Sequence, residues 1–192
     1  MDRAIQLLKD LIGVDSVNPS LVVGAAGEAH IARMLTVALQ GGIGLRVREQ
    51  IVAPGRPNIV AELEGAAPGR SLMFCGHIDT VGVAGMTAPF SGEERDGRIY
   101  GRGSQDMKGG IAAMIDAARV IVESGGLAAG KLIIACVVDE EHAVLVHAGV
   151  PSASWDSPIK GRAKRPAWTD CGVRTRACAA SCTWPAARGG PG

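Results

Sequence analysis

The sequence predicts an α/β fold in which a sheet carries helices on both faces. Segments with apolar residues at helical spacing alternate with short apolar runs of strand length, and acidic and histidine side chains gather where those runs end. The pattern holds to about residue 142. Beyond it the sequence has little helical or strand periodicity and is expected to form an irregular tail.

Ile5, Leu8, Leu11 and Ile12 mark a first helix that ends near Gly13. Residues 14–20, Val-Asp-Ser-Val-Asn-Pro-Ser, read as a turn. A second helix is expected from about Glu28, with Ile31, Met34, Leu35 and Ala38 on one face, to the Gly41-Gly42 stop. Short strands follow at residues 45–52 and 58–63. The compact run 71–77 suits a central buried strand and ends in polar residues, His77 and then Asp79. After a Gly-rich stretch, Ile111, Met114, Ile115, Ala118 and Ile121 place a third helix at about 108–123. Residues 131–138, Lys-Leu-Ile-Ile-Ala-Cys-Val-Val, give another buried strand, terminating in Asp139-Glu140-Glu141.

Composition narrows the function. The 192 residues are 47% hydrophobic, enough for a sizeable core, so disorder is not expected of most of the chain. Only 3% of residues are aromatic and the net charge is +1, which argues against a base-stacking platform and a general polyanion binder. No nucleic-acid partner is expected. Charges at Asp2, Arg3, Lys9 and Asp10 do not suit a signal peptide, and no run approaches a membrane span, so a cytoplasmic protein without membrane partners is expected. Cys75 and Cys136 fall in apolar runs, and Cys171, Cys178 and Cys182 lack C-x-x-C spacing; all read as buried or incidental thiols.

The near-neutral total conceals a split. Residues 1–141 hold 13 basic and 17 acidic side chains, whereas residues 142–192 hold 7 and 2, together with every Trp and half of the Pro. Two units are therefore expected: a patterned domain over 1–142 and an atypical basic tail over 143–192, poorly ordered or out of frame.

Three motifs carry chemistry. In His77-x-Asp79 the strand period of two puts both side chains on one face, where an imidazole can ligate a metal while a carboxylate orients it. Alone, the pair equally describes a histidine hydrogen-bonded at a strand end. Asp106, in Gly101-Arg-Gly-Ser-Gln-Asp-Met-Lys-Gly-Gly110, opens a helix and reads either as an N-cap or as a carboxylate held to bridge cations. Asp139-Glu140-Glu141 sets three acids side by side, which costs energy unless they are solvated or neutralised by a cation. Neighbouring side chains on extended backbone diverge, so one Glu can ligate while the other handles protons. All three motifs fall where open α/β sheets place ligands, at the C-terminal ends of strands or in the loops that follow them. One His with several carboxylates, without clustered thiolates, suits zinc or a similar divalent ion.

With these motifs the sequence resembles the M20 family of zinc-dependent aminoacylases and exopeptidases, which includes acetylornithine deacetylase and succinyl-diaminopimelate desuccinylase. The matching pieces are SVNPS at 16–20, RPNIVAELEG at 56–65, GHIDTVG at 76–82, GRGSQDMKGG at 101–110 and DEE at 139–141. The resemblance implies a zinc-exopeptidase-like mixed sheet with two zinc ions, cobalt being an accepted substitute. It implies His77, Asp106 and Glu141 as metal ligands, Asp106 bridging, with Asp79 steering the imidazole and Glu140 as general base. A cis peptide after Asp106 is implied as well. The reaction would be hydrolysis of the amide of an N-acyl amino acid or small peptide by a metal-activated water, in amino-acid metabolism.

The resemblance stops near His142. A further acidic ligand, a late His ligand and the lid and dimerisation domain of the family are not recognisable, so a homodimer through that domain is not expected. His142 or His147 could in principle substitute as ligands, although an exposed or packed histidine is the commoner case; Asp156 and Asp170 offer nothing better, and Arg162, Lys164 and Arg165 read as a solvated loop. The abrupt change suggests a frameshift or premature end. Besides a deacetylase or desuccinylase, two readings therefore remain: an inactive truncated fragment that binds metal weakly, and a dipeptidase or carboxypeptidase of the same family.

Overall fold

The structure, a computed structural model, describes residues 3–142. Helix α1 (Arg3–Ile12) buries Leu7, Leu8, Leu11 and Ile12 along one stripe. After a loop comes α2 (Ala29–Thr36), whose last residues pass into a π turn over Val37–Gly41, ending at the Gly-Gly stop. Strand β1 (Arg46–Ala53) turns at Gly55, φ 72°, into the antiparallel β2 (Arg56–Glu64). Then follow β3 (Ser71–His77), a hairpin of β4 (Glu93–Arg95) and β5 (Arg98–Tyr100), α3 (Lys108–Glu123) and β6 (Lys131–Val137). A 3-10 turn at Glu140–His142 closes the described chain.

The main sheet has the order β1-β2-β6-β3, with β6 antiparallel to β2 and parallel to β3, so the fold is α/β with a mixed sheet. The crossover through α3 joins the two parallel strands, as parallel pairing requires. Ile59, Ala61, Leu132, Ile134 and Cys136 form one row of the sheet, packed in a single cluster with the apolar stripes of all three helices. The alternate row, Val60, Ile133, Ala135 and Val137, is buried too, which explains why β2 and β6 read as unbroken apolar runs.

The run 71–77 departs from expectation. Among the described residues β3 is an edge strand paired only with β6, and Leu72 is 56% exposed. Burial returns at its C-terminal end, where Gly76 lets α3 approach: a Cβ there would lie within 3 Å of the Met107, Ile111 and Met114 side-chain tips. That close approach seats Asp106, at the head of α3, beside His77.

The β4–β5 hairpin was not anticipated from the sequence, although its signal is there. Asp96-Gly97 forms the turn with φ of 53° and 69°, the left-handed pair that a tight two-residue hairpin demands. The turn expected at 14–20 is more ordered than a surface turn: Val17 bridges Thr80 in parallel, and Ser16 and Asn18 are fully buried. Among the described residues no helix is long and apolar enough to cross a membrane. The tail 143–192, with His147, Asp156, Asp170, Arg162, Lys164, Arg165 and three of the cysteines, lies outside the described residues.

Candidate metal centre

Five side chains singled out from sequence converge at the C-terminal ends of β3 and β6. His77 is the last residue of β3 and 4% exposed. Its Nδ1 lies 3.0 Å from the carbonyl oxygen of Asp79, which can only accept, so this nitrogen carries a proton and donates. Nε2 faces the opposite way, 3.0 Å from Asp106 Oδ1 and 3.7 Å from Glu140 Oε2. Ligand atoms of His77, Asp106 and Glu141 all lie within 4.8 Å of one another, a spacing that one divalent ion can span.

Asp106 does not cap α3. Met107 occupies the N-cap position without a side-chain bond, the Asp106–Met107 peptide is cis, and the Asp106 carboxylate turns to His77 instead. A helix that starts one residue later leaves this acid free for the site.

Asp79 is fully buried, and its carboxylate lies 3.5 Å from His77 Nδ1. Its shorter bonds go elsewhere. Asn18 Nδ2 donates to Oδ2 at 2.7 Å, and the backbone N–H groups of Glu140 and Glu141 donate at 3.2 Å each. One carboxylate thus supports the imidazole and fixes the turn that carries both glutamates.

Electrostatics follow from this crowding. Burial alone would lower the His77 pKa, but hydrogen bonds to Asp106 and Asp79 and the charges of Asp79 and Glu140 outweigh it and raise it to about 10. Burial, with the negative charges of Asp106, Asp79 and Glu140, pushes Glu141 up to about 7 despite the opposing charge of His77. The bond to His77, against a smaller cost of burial, lowers Asp106. Asp79 is lowered as well: its burial opposes ionisation, and the bonds from His77, Asn18 and the Glu141 amide overcome it. A cation among these groups would offset the same crowding of negative charge.

Several supporting residues escaped the sequence reading, although SVNPS, RPNIV and DEE were noticed as motifs. Arg56 pairs with the fully buried Glu28 through Nε and Nη2, and Nη2 also lies 2.8 Å from Asp139 Oδ1. Asn18 and Ser20 both donate to Asp139 Oδ1, at 3.1 and 2.9 Å. Asn58 Oδ1 accepts from the Val138 amide. Lys108 is 1% exposed and donates to the Val14 carbonyl; burial lowers its pKa to about 8. A charged residue opening an apolar strand, as Arg56 does, was the available signal. His142 stands 3.7 Å from Asp139 and outside the three-ligand cluster, so the structure does not place it as a substitute ligand.

Residues 73–158 match the family model for peptidase family M20/M25/M40. The chain is 41% identical over 144 residues to a succinyl-diaminopimelate desuccinylase of Gluconacetobacter diazotrophicus, covering 72% of this chain and 35% of the relative. It is 33% identical over 146 residues to an N-formyl-4-amino-5-aminomethyl-2-methylpyrimidine deformylase of Bacillus subtilis, covering 73% of this chain and 33% of that protein. This chain thus spans about a third of the length of the curated relatives it matches. In fold it is similar to an M20 family metallo-carboxypeptidase from Sulfolobus solfataricus, with TM-score 0.64, 23% identity and coverage of 74% of this chain and 32% of the other. Human carnosine dipeptidase 1 is comparable, with TM-score 0.60, 24% identity and coverage of 76% and 34%.

Proposed function

This chain belongs to peptidase family M20/M25/M40, and on that premise we propose that it serves metal-dependent hydrolysis of the amide bond in an N-acyl amino acid, of the desuccinylase or deacetylase type. The observation that supports this most is the cluster of His77, Asp106 and Glu141 ligand atoms at the ends of β3 and β6. Its donor set, one imidazole and two carboxylates, fits zinc, with cobalt as a substitute. A bound divalent ion supplies Lewis acidity toward the amide carbonyl and makes water acidic enough to react near neutral pH.

The protein's own groups have separate tasks. Asp79 orients His77 through its carbonyl, so that Nε2 would be the nitrogen offered to an ion. Glu140, with its side chain half exposed beside His77, is the group that accepts the proton of the attacking water and passes it to the leaving amine. Asp106 and Glu141 would supply the carboxylate ligands of the ion.

Similarity to desuccinylases favours an acyl amide with a carboxylated acyl group over a dipeptide. The alternative is a chain that binds metal without turnover. One experiment separates them: zinc stoichiometry together with release of free amine from N-succinyl-diaminopimelate and N-acetylornithine. Bound zinc with turnover that Glu140→Gln abolishes supports the enzyme, and bound zinc without turnover supports the alternative. Failure to bind zinc would sink the proposed site itself.

A further inference from the structure

We propose that Arg56 is a positioning residue of this site: through Asn18, Ser20 and Asp139 its guanidinium sets the turn that carries Glu140 and Glu141. The proposal rests on the reading of that turn as the source of the proton acceptor and one ligand. Arg56 opens β2, remote in sequence from the turn, and is 8% exposed.

Glu28 alone would neutralise the buried guanidinium, yet its donors reach further. Nη2 lies 3.0 Å from Asn18 Oδ1 and 2.8 Å from Asp139 Oδ1, and Nη1 donates to Ser20 Oγ at 2.9 Å. Ser20 Oγ in turn donates a hydrogen bond to the same Asp139 oxygen. A planar fork with several donors can serve these acceptors on separate segments at once; a lysine ammonium cannot match that geometry.

What the fork holds is an unusual backbone. Asp139 has φ 65°, in the left-handed region where a side chain is strained, and its carboxylate is clamped by Arg56, Asn18 and Ser20. The next two residues give their N–H groups to Asp79, and Asn18 Nδ2 bonds both Asp79 and Asp139. If Asp139 relaxes to an ordinary conformation, those N–H groups leave Asp79 and the glutamates swing from His77. Arg56 therefore acts through Asp139, without itself touching the ligand cluster.

The test is Arg56→Lys in the full chain, which keeps a cation against Glu28 and removes the fork. Amide exchange at Glu140 and Glu141 should quicken about tenfold or more while β2 and β6 amides keep their protection, and the zinc dissociation constant should rise about tenfold. Unchanged exchange at Glu140 and Glu141 in a folded variant overturns the proposal, because a purely structural ion pair would loosen β2 instead. If the wild-type chain binds no zinc, the proposed function falls, whereas the exchange comparison still decides the role of Arg56. Should Arg56→Lys not fold, Ser20→Ala, which removes only the hydroxyl between Arg56 and Asp139, is judged by the same exchange at Glu140 and Glu141.

Discussion

His77 donates from Nδ1 to the carbonyl oxygen of Asp79, while the Asp79 carboxylate accepts from the backbone of Glu140 and Glu141. A single residue beyond β3 therefore joins the two strand ends that form the site. Its backbone sets the tautomer and orientation of the imidazole; its side chain sets the position of the glutamates.

Asp79→Asn tests that double role. The amide keeps the shape and the carbonyl bond to His77 but offers one acceptor oxygen where three donors converge, and it turns an NH2 group toward one of them. Zinc binding should weaken about 10- to 100-fold, and stability should fall by roughly 1 to 3 kcal/mol from the buried donor left unpaired. Calorimetric titration with zinc and a urea denaturation curve measure the two effects. Zinc affinity equal to wild type would show that the carboxylate does not organise the glutamates.

The raised pKa values of Glu141 and His77 make a pH prediction. Each group holds its proton more tightly folded than unfolded, Glu141 between 4.5 and about 7 and His77 between 6.5 and about 10. In those windows the native state binds more protons, so stability falls as pH rises. The carboxylates of Asp79, Asp106 and Asp139 have lowered pKa values and act the other way, their contribution being lost only as pH falls below 3.8. Lys108, lowered from 10.5 to about 8, costs stability at lower pH, a cost relieved only as pH rises beyond about 8. With a chelator present, the urea midpoint should decline from pH 5 to pH 8, and zinc should raise it more at pH 8 than at pH 5, since fewer protons need displacing. A midpoint that climbs over this range with chelator contradicts the charge arrangement.

Gly76→Ala probes the seat of α3. The added Cβ meets three side-chain tips, Met107, Ile111 and Met114, each between 2.8 and 2.9 Å away. These ends are flexible, so the cost should lie near the low end of overpacking, about 1 kcal/mol. The larger effect should fall on zinc affinity, because Met107 adjoins Asp106 and must move with it. Thermal unfolding and zinc titration on the same sample separate the two.

How far the sequence foretold this arrangement depended on the kind of signal. Helices and strands showed because Leu8, Leu11, Ile115 and Ile134 repeat at periods set by burial of one face. His77, Asp79, Asp106, Glu140 and Glu141 showed because reactive side chains stand at or just past the end of a strand or just ahead of a helix. The edge position of β3 was hidden, since an apolar run reports burial and not the number of its neighbours. Arg56, Glu28 and Asn18 were hidden for a different reason. Their partnership is between segments far apart in the chain, and no periodicity encodes which buried charge meets which.

Asp106→Asn separates the charge of the site from its scaffold. The Asp106 side chain is 73% exposed, and the bond to His77 is the strongest influence holding its own pKa down. Exposure means that the fold owes it little, so the urea midpoint at pH 6 should stay close to wild type. His77, in contrast, exchanges the charged acceptor that does most to raise its pKa for a neutral amide oxygen, and its titration by NMR should move down from about 10 toward the ordinary histidine range. Zinc affinity should fall at the same time, because one of three ligands has lost its charge. A variant with an unshifted His77 titration would mean that Asp79 and Glu140 alone account for the raised value. One that unfolds would mean that Asp106 serves the entry of α3 rather than the metal centre.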